Sequence, residues 1–249
     1  MIYVCVPSHN NARTVGLLLW KIRQVFGSYP REYQLLVAND GSSDATAEIL
    51  KSYLDVLPMT VLEHETHRGY AATVEHLLRH AVRLTDHPKR DCVVILNGDF
   101  SVSPSVLPDL LKGLESGSDV VVGETPAPRS WGERVLRRAS PWLLRPGVHL
   151  PGVRDLLSGA CAIRLVTVKR CLSDRKQQLL DTNGIPARAE LVARVASHAR
   201  QISTVAFDPQ ALRRDTGTRV RPMSLAMQLY RTGRTLSIPP PDVAVGRVS

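Results

Sequence analysis

The stretch VVILNGDFSV, residues 93–102, decides how this chain folds. Four aliphatic residues deliver the backbone to Asn97-Gly98-Asp99 with no alternation of polar and apolar positions. Such a run fits a strand buried on both faces, as in a parallel sheet covered by helices. The polar triplet then falls where the strand ends. Working outward, similar runs recur at IYVCV (2–6), QLLVA (34–38), MTVLE (59–63), CVVIL (92–96) and DVVVG (119–123). Between them, apolar residues repeat near every 3.6 positions. Asn10 or Asn11 is expected to cap a helix that buries Val15, Leu18, Leu19, Ile22 and Val25. Asp44 is expected to cap a second, with Ala47, Leu50 and Leu54 along one face. YAATVEHLLRHAVRL (70–84) buries Val74, Leu77, Leu78 and Ala81. Pro104, after Ser103, opens a short helix with Leu107, Leu110, Leu111 and Leu114 inward.

Alternating strands and helices call for an α/β fold, a mostly parallel central sheet flanked by helices. Ligands of such sheets bind beyond the carboxyl ends of the strands. PSHNN (7–11) follows the first strand, NDGSSD (39–44) the second and NGD (97–99) the fourth. All three fall on one edge and converge on one crevice. The second half is less regular. It reads as an arginine-bearing amphipathic helix over 130–144, a strand over 159–166, a helix over 187–200 and a strand over 202–207. An amphipathic helix over 223–234 and a mobile, Pro-containing tail then set residues 222–249 apart from a domain spanning 1–221.

The 249 residues carry a net charge of +9, which points to anionic partners such as phosphates, nucleotides or an anionic membrane surface. The excess is uneven. Arg129, Arg134, Arg137, Arg138, Arg145 and Arg154 stand against Glu133 alone across 129–154, and Arg213, Arg214, Arg219 and Arg221 form a second cluster. Aromatic residues make up 5% and are not interleaved with these arginines, so no nucleic-acid partner is expected. No run of 18 apolar residues marks a membrane span, and the N-terminus lacks the features of a signal peptide. The expected location is cytoplasmic, peripheral to the cytoplasmic face of a membrane. Four scattered cysteines, Cys5, Cys92, Cys161 and Cys171, read as reduced core thiols. No G-x-G-x-x-G follows the first strand, which disfavours a nicotinamide dehydrogenase.

Several motifs in order resemble the family-2 glycosyltransferases of the GT-A fold, in particular the dolichol- and polyprenyl-phosphate mannosyltransferases and their glucosyl relatives. VPSHNN (6–11) resembles "IPTYNE", and VANDGSSDAT (37–46) resembles "VDDGSTDGT". HRGYAATVEHLLRHA (67–81) is similar to an "N-x-G-x-x-x-A" helix start. ILNGDFSVSPSVLPDLL (95–111) is similar to "xxDADLSHPPExIPxLL", VRDLLSGACAIR (153–164) to "VxDxTSGFRxY", and ALRRDTGTR (211–219) to "R-x-x-G-x-S-K". The match spans roughly 1–221.

The resemblance implies inverting transfer of a sugar from a GDP- or UDP-linked donor to an acceptor, polyprenyl phosphate first among them, assisted by Mg²⁺ or Mn²⁺. Asp99 matches the metal-binding carboxylate. Pro7, Ser8, His9, Asn39 and Asp40 match positions that hold base and ribose, and Arg68, Asn97 and Gly98 complete the donor side. Arg214 and Arg219 match a basic motif that closes over the donor phosphates. Asp155 and Glu190 match family carboxylates and are the candidate bases, which a hydroxyl acceptor needs and a phosphate does not. Arg134, Arg137 and Arg138, with Ser158, are expected to face the acceptor, since guanidinium groups grip phosphate well. Three amides, Asn11, Asn39 and Asn97, stand where the family pattern has acids. An amide keeps hydrogen bonding but loses charge, which lowers metal affinity and shifts base preference. A transferase acting on a soluble hydroxyl acceptor, and a non-catalytic nucleotide-sugar-binding protein, are the alternative readings.

Overall fold

The computed structural model describes residues 1–124, 131–145, 147–148, 150, 152–175, 177–207, 222–241 and 245–247; the side chains of 131–134, 137–138, 222, 245 and 247 lie outside that description. The first half alternates as expected: β1 (Ile2–Ser8), α1 (Val15–Ser28), β2 (Tyr33–Asp40), α2 (Thr46–Tyr53), β3 (Met59–His64), α3 (Tyr70–Leu84) and β4 (Cys92–Ile95). A 3-10 turn at Pro104–Val106 leads into α4 (Leu107–Glu115) and β5 (Val120–Glu124). Then come α5 (Trp131–Leu144), β6 (Cys161–Arg164), α6 (Leu165–Asp174), α7 (Ile185–Ala196), β7 (Ile202–Ala206), α8 (Pro222–Thr235) and β8 (Val245–Arg247).

The strands form one sheet in the order β3-β2-β1-β4-β6-β5-β7-β8. All pairings are parallel except those of β6, which runs against β4 and β5. Side chains of a strand alternate between faces, and each face here has its own apolar layer. Leu36 and Ala38 of β2 join α3, α5, α6, α7 and α8 on one side. Leu35 and Val37 join α1, α2 and α4 on the other. This double cover is why the strands read as unbroken apolar runs. The four cysteines are buried and free. Burial pushes the Cys171 thiol up to about 11, so it stays protonated near neutral pH.

Several local readings differ. Neither Asn10 nor Asn11 caps α1, which starts at Val15 after Thr14. Asn10 takes a left-handed backbone (φ 52) and its side chain accepts from the Ser43 amide, while the Asn11 side chain accepts from the Ser8 hydroxyl and the His9 amide. The two asparagines therefore organise the loop. Asp44 stands one residue before the N-cap of α2, Ala45, and its carboxylate accepts from the amides of Thr46 and Ala12, tying two loops together. Leu54 is exposed, because α2 ends at Tyr53. The apolar run 159–166 is a strand only to Arg164; Leu165 already begins α6. The C-terminal segment is not set apart. Leu225 and Leu229 of α8 enter the core, α8 packs on α5, and β8 pairs with β7.

Candidate functional site

β2, β1 and β4 are neighbours and parallel, so their carboxyl ends share one edge. Connections leave this edge in opposite directions from β1 and β4, which opens the crevice where such sheets bind ligands. The structure brings Pro7, Ser8, His9, Asn39, Asp40, Asn97, Gly98 and Asp99 together there. The 97–99 turn is tied to β1: the Gly98 amide donates to the Pro7 carbonyl (3.0 Å), and the Thr14 hydroxyl donates to the Gly98 carbonyl (2.8 Å). A Cβ at Gly98 would meet Asn11 Oδ1 at 2.8 Å, so only glycine lets these two loops approach so closely.

Asp40 holds one end of the site. Its Oδ1 accepts from His64 Nδ1 (2.8 Å) and the Arg68 amide (2.8 Å). Its Oδ2 accepts from the Gly69 amide (2.8 Å) and pairs with His67 Nδ1 (2.9 Å). Burial pushes this carboxyl up, but hydrogen bonds from His64 and from the Arg68 and Gly69 amides outweigh it and hold the pKa below the ordinary value. His64 Nε2 meets His76 Nδ1 at 2.8 Å, which extends the chain into α3. Arg68 is used here through its backbone; its side chain is exposed. His9 donates Nδ1–H to the Asp40 carbonyl at 2.7 Å, and its ring lies 3.9 Å from that of His67. One donor atom each from His9, Asp40 and His67 lie within 4.8 Å of one another, a candidate metal site of a kind that suits imidazole-favouring metals over Mg²⁺.

Asn39 answers part of the question raised by the amides. It lies opposite Glu63 in the β2–β3 register, and its Nδ2 donates to Glu63 Oε2 at 2.7 Å. An acid at 39 would set two like charges side by side.

Asp99 holds the other end. One oxygen accepts from the Ser101 amide (2.9 Å), and the other has no partner among the described residues. The next residue, Phe100, is buried with φ 55, a conformation that a bulky side chain adopts at a cost of about 1–3 kcal/mol. The phenyl ring anchored in the core holds the turn that presents Asp99. Asn97 is buried, and its Oδ1 has no partner among the described residues.

The remaining expectations fare differently. Asp155 is buried and accepts from the Leu157 amide (3.0 Å). The Ser158 hydroxyl is buried and donates to the Gly123 carbonyl (2.5 Å), so it braces β5 instead of facing an acceptor. Glu190 is 0% exposed. Its carboxylate accepts from the amides of Asp181 (2.9 Å) and Thr182 (2.8 Å), from the Thr182 hydroxyl and from Arg194. A carboxylate offers about four acceptor positions, and these are taken, which gives Glu190 the task of holding the 181–182 turn on α7 and not that of a base. Arg214 and Arg219, and the side chains of Arg134, Arg137 and Arg138, lie outside the described residues. Sequence reasoning missed His64, His67, His76 and Glu63, although two histidines and a glutamate within one strand and its following loop, with a third histidine on the next helix, were a signal. A cleft of about 580 Å³ opens beside Gly69, lined by His67, Tyr70, Asn183, Pro186, Gln228 and Arg231.

Glycosyl transferase family 2 matches residues 3–163. The chain belongs to that family. It is 27% identical over 122 residues to the undecaprenyl-phosphate 4-deoxy-4-formamido-L-arabinose transferase of Edwardsiella ictaluri, covering 48% of this chain and 35% of that one. It is 23% identical over 122 residues to the dolichol-phosphate mannosyltransferase of Pyrococcus furiosus, covering 49% and 32%. The chain thus spans about a third of the length of these curated relatives. Glucosyl-3-phosphoglycerate synthase from Mycobacterium tuberculosis, solved with Mn²⁺, UDP and phosphoglyceric acid, superposes with a TM-score of 0.63 at 20% identity, over 93% of this chain and 75% of that one. The fold is the GT-A arrangement that the resemblance implied.

Proposed function

We propose that this family-2 glycosyltransferase moves a sugar from a nucleotide-diphosphate donor, UDP-linked in the first instance, to a polyprenyl phosphate, with inversion and with Mg²⁺ or Mn²⁺. One observation carries the choice of acceptor. The two candidate bases, Asp155 and Glu190, are buried and engaged. A hydroxyl acceptor needs a carboxylate to take its proton; a phosphate is already an anionic nucleophile. The lipid-linked acceptors named for the two curated relatives agree with this.

The residues fit a divalent ion at Asp99. One of its carboxylate oxygens has no partner among the described residues, and Mg²⁺ accepts a single protein carboxylate when phosphates and waters fill its shell. Bound there, the ion would stabilise the charge that develops on the departing diphosphate. The chain's own groups do the rest. Asp40, fixed by four donors, presents a rigid wall for the nucleoside. The glycine-tight turn at 97–99 keeps backbone close to the donor. Phe100 holds Asp99 in place.

A lipid acceptor also fits the surface. Met223, Met227, Tyr230 and Arg234 of α8 recur at spacings of four, three and four, forming one helical stripe. The first three are 81%, 52% and 41% exposed. Trp142, on the neighbouring α5, is 70% exposed. Apolar residues with arginines at their edge suit an anionic bilayer interface. Among the described residues no helix is long and apolar enough to cross a membrane.

The test incubates the protein with a panel of nucleotide sugars and Mg²⁺ or Mn²⁺, with and without polyprenyl phosphate in vesicles, and follows lipid-linked product. Product that requires the lipid phosphate is the expected outcome. Product only with a soluble hydroxyl acceptor would overturn the lipid reading, and no product with any donor would overturn the enzyme reading.

A further inference from the structure

Arg188, in the first turns of α7, has no place in the reaction as described so far. Its Nε is buried without a partner among the described residues. Its other contacts there are a 3.4 Å hydrogen bond from Nη1 to the Leu157 carbonyl and the ring of Tyr70, whose centre lies 5.4 Å from the guanidinium carbon. No carboxylate pairs with it among the described residues, although six other arginines have such partners. A guanidinium stays charged at every pH where proteins fold and offers five donors. A cation placed in a site wall with its charge uncompensated and a donor unused is matched by a ligand that brings an anion.

Asn97 approaches the same glycine as Arg188. Both side chains pack on Gly159, which has φ +76. A Cβ built there would lie 2.6 Å from Asn97 Nδ2 and 3.2 Å from Arg188 Nε. Only glycine leaves room for the two, and both carry a buried polar atom with no partner among the described residues. Asp99 is two residues away. Burial pushes the Tyr70 phenol up, and the Arg188 guanidinium against its ring pulls it down. The arginine thus lies against Tyr70, which lines the cleft, and shares Gly159 with Asn97, two positions before Asp99.

The neighbourhood explains position 97. An acid there would place a negative charge within about 6 Å of Arg188 Nε, close enough to offset the guanidinium. An amide brings no charge to offset the cation. We propose that Arg188 binds a phosphate group of a substrate at the reaction centre, and that position 97 is an amide because a carboxylate would neutralise this arginine. This rests on the reading above in that it takes the substrates to carry phosphate: the donor's diphosphate or the acceptor's monophosphate.

The test uses the full chain and isothermal titration in EDTA, so that no metal bridges the phosphates. The ligands are UDP, farnesyl phosphate as a short prenyl phosphate, and uridine as a phosphate-free control. Arg188→Gln is expected to weaken UDP or farnesyl phosphate by at least about tenfold and to leave uridine within about twofold. Loss of UDP assigns the arginine to the donor, loss of farnesyl phosphate to the acceptor, and either supports the site. Unchanged affinity for both phosphates overturns it while leaving the proposed function standing. Wild-type protein that binds UDP but not farnesyl phosphate, with UDP weakened in Arg188→Gln, sinks the lipid acceptor and keeps the arginine site. Wild-type protein that binds neither phosphate overturns both. Asn97→Asp reaches the same cation without touching it. Simple repulsion by the new charge lowers phosphate affinity by one factor in either background. Ion pairing predicts a larger factor beside Arg188 than in Arg188→Gln, a non-additivity that a double-mutant cycle reads directly. Equal factors overturn the role given to the amide.

Discussion

The two ends of the crevice differ in how fully their polar groups are satisfied. At Asp40 every carboxylate oxygen has two partners, and a histidine chain runs from it into α3. At Asp99 one oxygen is open, Asn97 Oδ1 is unpartnered and Arg188 Nε is unpartnered among the described residues. The first end is finished by the protein. The second is left with open groups. Buried polar groups are satisfied as a rule, so under the proposed function the incomplete end is where substrate groups would go and the saturated end the wall they would rest on.

The sharpest way to break the comparison is to remove the open carboxylate. Asp99→Asn should lower turnover by about 10²–10³-fold or more, the scale for losing a group that stabilises developing charge. Its melting temperature should stay near the wild-type value, since the Ser101 amide keeps an acceptor. Activity within a few-fold of wild type would remove Asp99 from the reaction.

Asp40→Ala tests the saturated end. Two backbone amides and His64 lose their acceptor at a buried position, which costs about 3–5 kcal/mol. At about 2–4 °C per kcal/mol for a chain of this size, the melting temperature falls by roughly 6–20 °C. A variant as stable as wild type that merely bound nucleotide weakly would mean that Asp40 is a ligand-binding residue with little structural task.

α7 carries the same contrast two residues apart, with Arg188 open and Glu190 saturated. Glu190→Gln keeps the shape but loses charge against Arg194 and leaves one acceptor short. A destabilisation of about 2–3 kcal/mol is expected from a charge-assisted network of this kind, with turnover per folded molecule nearly unchanged. Collapsed turnover at an unchanged melting temperature would restore Glu190 as a base.

The smallest effect concerns a carboxylate far from the crevice. Asp119 is buried, which pushes its pKa up, but hydrogen bonds and charge from Arg200, with Arg164 nearby, hold it below the ordinary value. A depressed folded pKa adds stability above the unfolded value, near 4, and loses it as pH falls through the folded one. Asp119→Asn should therefore flatten the acid side of a plot of melting temperature against pH, below about pH 4, and leave turnover alone. An unchanged acid limb would show that the acid sensitivity arises elsewhere, Asp40 being next in line.

The first half of the fold was legible because each strand is buried on both faces and each helix shows one face, so periodicity alone separates them. α3 was placed at Tyr70–Leu84 to the residue. Local chemistry misled where the asparagines after β1 looked like caps, since the same side chains serve loop-to-loop bonds that no spacing reveals. It failed again at Leu165, where an apolar run changes from strand to helix without a break. At the crevice edge, Ser8, His9, Asp40 and Asp99 were legible as polar residues ending buried strands, and Pro7 only through the resemblance. Glu190 was not legible as a structural group, because its partners, Asp181, Thr182 and Arg194, meet it only once α7 folds back on the preceding turn.

The sequence by itself determined a doubly covered parallel sheet, since only burial on both faces tolerates so many unbroken apolar strands, and with it the edge on which the polar loops gather. The resemblance adds that Asn39 and Asn97 stand where the family pattern has acids. Only the tertiary structure shows what surrounds them. Asn39 faces Glu63 across a strand pairing, and Asn97 shares a glycine-made space with Arg188 from a helix 91 positions further along the chain. Charge compensation depends on distance in space, and distance in space between remote segments is set by the packing of the whole sheet.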